Sequence, residues 1–158
     1  MARWNGADWA ELVSGAACPI CRDGGPSDTV AALPGAWLAM SADAAPALPG
    51  TCALFARRHV VELHELTEAE AADFMQSLRI VSELLKSATG AVKINCEMHG
   101  NTIPHLHMHF FPRYRGDPFE NGPIDPSKQG TEEDALRHRE VRASLLDALQ
   151  RRGDMIFR

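Results

Sequence analysis

The chain has 158 residues, 45% of them hydrophobic and 23% charged, with a net charge of −5 at neutral pH. One domain with a real core is the expectation at this length. The acidic balance argues against a general nucleic-acid coat. No run of about 18 apolar residues is present to span a bilayer, and the first residues lack the apolar stretch of a secretory signal. A cytoplasmic location is therefore expected, where four cysteines point to metal ligands or buried thiols before disulfides.

In chain order, residues 3–14, with Trp4, Trp9 and Leu12, read as a short helix or an arm that docks by its aromatics. Cys18-Pro19-Ile20-Cys21 follows. Two thiols at this spacing can meet one tetrahedral ion, but a lone CxxC is half a site, so further ligands must be histidines from elsewhere. A thioredoxin-like redox role is disfavoured because Gly24-Gly25-Pro26, not a long helix, comes next.

Thr29–Leu33 and Trp37–Ser41, joined by Pro34-Gly35-Ala36, predict a hairpin. A loop spans residues 43–50, and Thr51–Ala56 forms a third strand that ends in Arg57-Arg58-His59. Thr67-Glu68-Ala69-Glu70 is a capping box. Ala71, Phe74, Leu78, Val81 and Leu85 then recur at helical spacing until Gly90, which predicts a core helix of about 20 residues. Ala91–Asn95 is the fourth strand, and Cys96–Asn101 a polar turn.

Next comes His105-Leu106-His107-Met108-His109-Phe110-Phe111. In a strand, alternate residues share a face. Three imidazoles therefore line one side, facing a pocket or solvent, and Leu106, Met108 and Phe110 line the other. Imidazole chemistry and a metal site built from all three histidines are both open on this pattern. A Pro/Gly-rich loop runs to about Gly130. Thr131 then caps a last helix that carries Val141, Leu145 and Leu149 and ends near Gly153. His64 and His138 read as surface residues, and Cys52 and Cys96, on predicted strands, as buried free thiols.

Asn101-Thr102-Ile103-Pro104 followed by the alternating histidines resembles the motif of the histidine-triad (HIT) superfamily of nucleotide hydrolases and transferases. Asp43, Pro46, the strand ending in Arg57-Arg58-His59, the helix opening at Leu66-Thr67 and the exit Pro112-Arg113-Tyr114 resemble that family too, over roughly residues 18–114. Residues 115–158, a loop and a C-terminal helix, carry no diagnostic feature. The resemblance implies an α+β fold, with an antiparallel sheet of about five strands and packed helices.

It also implies reaction at the α-phosphorus of a nucleotide or nucleotide conjugate, purine-bearing, and no nucleic-acid or membrane partner. His107 would attack and form a nucleotidyl-imidazole, with one ring nitrogen held protonated by a backbone carbonyl. His109 and Asn101 would assist at the phosphate, and Asp43, Asn95, Asn101, Thr102 and His109 would bind substrate. Zinc-bearing relatives imply that Cys18, Cys21, His59 and His105 hold a structural zinc ion. A homodimer is expected from the same resemblance.

Two departures stand out. Asn101 occupies a place where the family commonly has Gln, and the turn before it carries Met98-His99. His99 reads either as a solvated loop residue or as facing the leaving-group pocket. Other readings are a metal-dependent hydrolase using His105, His107 and His109, and a nucleotide-binding protein with little turnover.

Overall fold

A computed structural model describes Trp4 and residues 6–153; Arg3 and Asn5, at the start of the expected N-terminal helix, lie outside them. Helix α1 covers Ala7–Val13 and α2 a single turn, Pro19–Arg22. Three strands follow: β1 (Thr29–Leu33), β2 (Ala36–Ala39) and β3 (Cys52–Ala56). Helix α3 (Glu68–Thr89) leads to β4 (Lys93–Glu97) and β5 (His107–Arg113). Helix α4 (Glu132–Arg152) is the last element among the described residues.

The strands form one antiparallel sheet in the order β1-β2-β3-β5-β4. Leu33 pairs directly with Ala36, so the first turn has two residues. Pro34 fixes one φ and Gly35 takes the positive φ, 65°, that a type II turn requires at that place. β5 is central, with Phe55 beside His107, and Ala53 and Glu97 on either side of His109.

One sheet face is covered by α3 and α4. Leu38, Leu54 and Phe110 pack there against Phe74, Val81, Leu85, Val141, Leu145 and Leu149. The capping boxes at Thr67 and Thr131 start both helices as expected. The buried stripe of α3 differs from the expected one: Ala71 is exposed, while Ser77 is buried and its hydroxyl donates to the Pro34 carbonyl at 2.7 Å.

The opposite face carries Trp37, Phe55, His107, His109 and Phe111 in adjacent rows. No long helix covers it. The α2 knuckle packs on one end, with Cys18 and Ile20 against Trp37 and Phe55. Phe119 and Ile124 of the C-terminal loop pack on Phe111 at the other. Between these two covers the sheet is left open as a cleft.

Two expectations are corrected here. His138 is fully buried, because it stands three residues before Val141 on the apolar stripe of α4. Its Nε2–H donates to the Ser41 carbonyl at 2.9 Å, and its Nδ1 accepts from the Gly50 amide at 3.1 Å. With both nitrogens satisfied inside the core, the ring costs little to bury. Cys52 is buried as expected, but Cys96 is exposed, since β4 is an edge strand whose flank is open to solvent.

Candidate functional site

The triad divides its three imidazoles between two sites. His105 precedes the first paired residue of β5, its amide bonded to the Ile103 carbonyl, and its ring turns toward α2. There Nδ1 lies 3.5 Å from Cys18 Sγ and 3.6 Å from Cys21 Sγ, and His59 Nδ1 lies 3.3 Å from Cys21 Sγ. All four ligand atoms fall within 4.8 Å of one another. Cys18 caps α2, so the CxxC does open a helical turn, and that turn aims both thiols the same way.

Both rings are oriented from behind. His105 Nε2 is 2.7 Å from the Ala56 carbonyl, and His59 Nε2 is 2.9 Å from the Val13 carbonyl. A carbonyl can only accept, so each Nε2 carries the hydrogen and each Nδ1 presents a lone pair to the cluster. Burial holds the His105 pKa below the ordinary imidazole range, while burial and the neighbouring Cys18 push the Cys21 thiol up to about 11. A thiol raised in this way ionises readily only beside a cation. The set could hold one small four-coordinate metal ion, with no position left over for substrate.

His107 faces the cleft. Its Nδ1 lies 2.6 Å from the His105 carbonyl, which makes Nδ1 the protonated nitrogen and leaves Nε2 with a free lone pair. The ring stacks on Phe55, centroids 4.9 Å apart and planes within 16°, and meets His109 edge-on at 4.7 Å. Those contacts fix its rotation. Burial lowers the His107 pKa, and burial together with His107 and His99 lowers that of His109 to about 4. Both imidazoles are neutral at cellular pH.

His109 stands where three hollows meet. A cavity of about 480 Å³ is lined by Phe55, His99, Asn101, Thr102, His107 and His109. A second, about 330 Å³, lies between Ile20, Asp28, Ser41, Ala53, Phe55 and His109. A third, about 220 Å³, is walled by Phe111, Phe119, Ile124 and Lys128. Asn101 and Thr102 thus line the same cavity as His107 and His109. Asp43 is exposed beside Ala44, which lines the second cavity. Asn95 is half-buried on β4 opposite Phe111, two residues from Glu97, and neither residue lines the cavity around His107.

The loop from Asp117 onward supplies what the sequence left unassigned. Ile124 and Pro126 wall the large cavity. The Gly130 amide donates to the Ala45 carbonyl at 2.7 Å, and Pro46 bridges Gln129. A Cβ on Gly130 would come within 2.7 Å of the Pro46 carbonyl oxygen, so glycine permits this close approach. The N-terminal arm docks at the opposite rim, where the Trp4 indole donates to the Asn101 carbonyl at 3.2 Å.

Comparison with known proteins gives the same grouping. The HIT domain model matches residues 36–116. Over 81 residues the chain is 33% identical to a bis(5'-nucleosyl)-tetraphosphatase (asymmetrical) of Schizosaccharomyces pombe, covering 48% of this chain and 44% of that protein. A bis(5'-adenosyl)-triphosphatase of Saccharomyces cerevisiae is 32% identical over 76 residues, covering 44% of this chain and 37% of that protein. The chain thus matches less than half the length of these relatives. Among solved structures, a histidine triad protein from Bradyrhizobium japonicum superposes with a TM-score of 0.63 at 28% identity, covering 82% of this chain and 92% of that one. A zinc-bound histidine triad family protein from Mycobacterium smegmatis shares the fold at a TM-score of 0.53 and 18% identity, covering 91% of this chain and 96% of that one. With the matched region spanning more than half of its residues and the three alternating histidines inside it, the chain belongs to the HIT family.

Proposed function

We propose that the protein cleaves a nucleotide conjugate at its α-phosphorus through a covalent nucleotidyl group on His107. The observation that carries this reading is the 2.6 Å bond from His107 Nδ1–H to the His105 carbonyl. It commits the hydrogen to the inner nitrogen and points an unprotonated Nε2 into the cleft. The base occupies the slot between Ile20, Ser41 and Phe55, with Asp43 near the ribose at its rim. The α-phosphate lies between His107 and His109, and the departing half lies in the cavity bounded by Asn101 and Thr102.

In the first step Nε2 forms a bond to phosphorus as the bond to the leaving group breaks. Water then displaces the imidazole and yields the mononucleotide. His109 and Asn101 hydrogen-bond the phosphate as charge develops on it, with Asn95 at the far edge. Substrates are expected among dinucleoside polyphosphates, by likeness to the phosphatases above, and among nucleoside phosphoramidates. A reaction using all three histidines as metal ligands is disfavoured, because the Nδ1 of His105 turns to the thiols and that of His107 to a carbonyl.

The metal proposed for Cys18, Cys21, His59 and His105 is zinc. Tetrahedral zinc with bonds of about 2.3 Å to sulfur and 2.0 Å to nitrogen separates a sulfur from a nitrogen by about 3.5 Å. Three of the four sulfur–nitrogen distances are 3.3, 3.5 and 3.6 Å. Its role is structural, pinning the α2 knuckle to the residue two before His107. A panel of diadenosine polyphosphates, AMP phosphoramidate and ADP-sulfate tests the activity. Release of AMP from at least one supports it, and no turnover of any by zinc-loaded protein refutes it.

A further inference from the structure

The N-terminal arm is tied to the molecule at two polar points. At one end the Trp4 indole N–H donates to the carbonyl of Asn101, a residue that lines the large cavity with Thr102, His107 and His109. At the other end the Val13 carbonyl accepts from His59 Nε2 at 2.9 Å. Between these ties α1 buries none of its residues, so apolar burial by that helix does not account for the arm's course along the rim. Trp4 is 68% exposed. Trp9, half-buried, stands beside it, with ring centroids 6.4 Å apart and planes inclined at 43°. An indole anchored by its own N–H and otherwise left in water presents a fixed π surface beside the mouth of the cavity.

We propose that Trp4 is a specificity-determining residue that stacks the second nucleobase of a dinucleoside polyphosphate. This rests on the reading above that a nucleotide conjugate reacts at His107 and that its departing half lies in the cavity bounded by Asn101 and Thr102. The cavity wall leaves little π surface for a base. Phe55 lies flat against His107, and His109 meets His107 edge-on. The remaining ring in the wall is the small imidazole of His99, whose Nε2 is bonded to Glu97. An indole offers a wider face, and stacking on it accepts any base because every base has a π face. Trp4 stands behind Asn101 and does not itself line the cavity. A leaving group must therefore extend past the cavity wall to reach it. A nucleoside at the end of a polyphosphate can do so, whereas an amine or a sulfate is too short. Trp4 thus favours dinucleoside polyphosphates over phosphoramidates and ADP-sulfate.

The test compares wild-type protein with Trp4→Ala and Trp4→Phe by calorimetry. The probes are AMP, adenosine tetraphosphate and a methylene-bridged, uncleavable analogue of diadenosine tetraphosphate. In the wild type the analogue should bind more tightly than adenosine tetraphosphate, which lacks the second nucleoside. Trp4→Ala should weaken the analogue about tenfold, within the range that alanine substitution costs at a stacked base, and leave the other two probes unchanged. Trp4→Phe loses the bond to Asn101 but keeps a π face, so it should recover most of that loss. In turnover, Trp4→Ala should raise KM for diadenosine tetraphosphate while kcat/KM for AMP phosphoramidate holds. The proposal is overturned by no gain from the second nucleoside in the wild type, or by an unchanged affinity for the analogue in Trp4→Ala. Equal losses in Trp4→Phe and Trp4→Ala, or a parallel loss for AMP, also overturn it, since either marks Trp4 as an anchor of the Asn101 turn alone. The binding comparison needs no turnover, so it can fail while the activity at His107 stands, and it can succeed if that activity is absent.

Discussion

Asp117 holds the C-terminal loop to the sheet, and removing it should both destabilise the protein and loosen the cleft. Its carboxylate takes Arg113 Nε at 2.8 Å and Nη2 at 2.9 Å, and it accepts the Tyr114 amide at 3.0 Å and the Phe119 amide at 2.8 Å. The two side chains are only 13% and 3% exposed, so solvent screens this pair little. Breaking such a pair by deleting one partner costs about 3–5 kcal/mol. Arg113 retains the Phe119 carbonyl at 2.6 Å, which argues for the lower end. Asp117→Ala should therefore lose about 3 kcal/mol, a fall in Tm of about 6–12 °C for a chain of this size. The Arg113 guanidinium holds the Asp117 carboxyl below the usual carboxylate range. Stabilisation from a lowered pKa is present above the unfolded value of about 3.9 and lost as pH falls through the folded one. The deficit of Asp117→Ala against wild type should thus be full at pH 7 and shrink in acid. Urea melts at several pH values give the stability, and hydrogen exchange over residues 114–130 shows whether the wall carrying Ile124 and Pro126 opens. A loss under about 1 kcal/mol with unchanged exchange would refute the reasoning.

Replacing Cys21 by Ser should lower zinc content from about one equivalent per chain and reduce Tm, by elemental analysis and calorimetry. His138→Leu leaves the Gly50 amide and the Ser41 carbonyl unpaired in the core and should cost about 1–3 kcal/mol for each group stranded, read by urea melts. Turnover should be flat from neutral pH down to mildly acidic conditions and decline below that. Protonating His107 removes the nucleophile, and burial holds its pKa below the ordinary value, as it does that of His109, at about 4. A pH–rate profile with its acid limb above pH 7 would contradict the assigned burial effect.

Much of the fold was legible because its signals are local. The capping boxes at Thr67 and Thr131 and the apolar stripes of α3 and α4 need only neighbouring residues to be read. The Cys/His set was legible for a different reason: the CxxC is a local signal for half a site, and the family resemblance supplied His59 and His105, which the fold brings together across more than 80 residues from Cys18 to His105. His138 shows a limit of residue-type reasoning. Its spacing to Val141, Leu145 and Leu149 already placed it on the buried stripe, and polarity alone suggested the surface. Exposure of Cys96 depends on β4 being an edge strand, a property of sheet order that no local pattern encodes. The loop wall at Ile124 and Pro126 was likewise hidden, since it forms through the Pro46–Gln129 bridge between two segments without periodicity.

The most direct test of the account is to trap the intermediate. Zinc-loaded protein would be mixed with a diadenosine polyphosphate, quenched in base during turnover, and digested for mass spectrometry. The account predicts an acid-labile adenylyl group on His107, absent in His107→Ala, which keeps its zinc, its fold and its affinity for AMP but loses nearly all turnover. His109→Ala should still form the adduct, more slowly. An adduct on another residue, or substantial activity remaining in His107→Ala, would contradict the covalent mechanism.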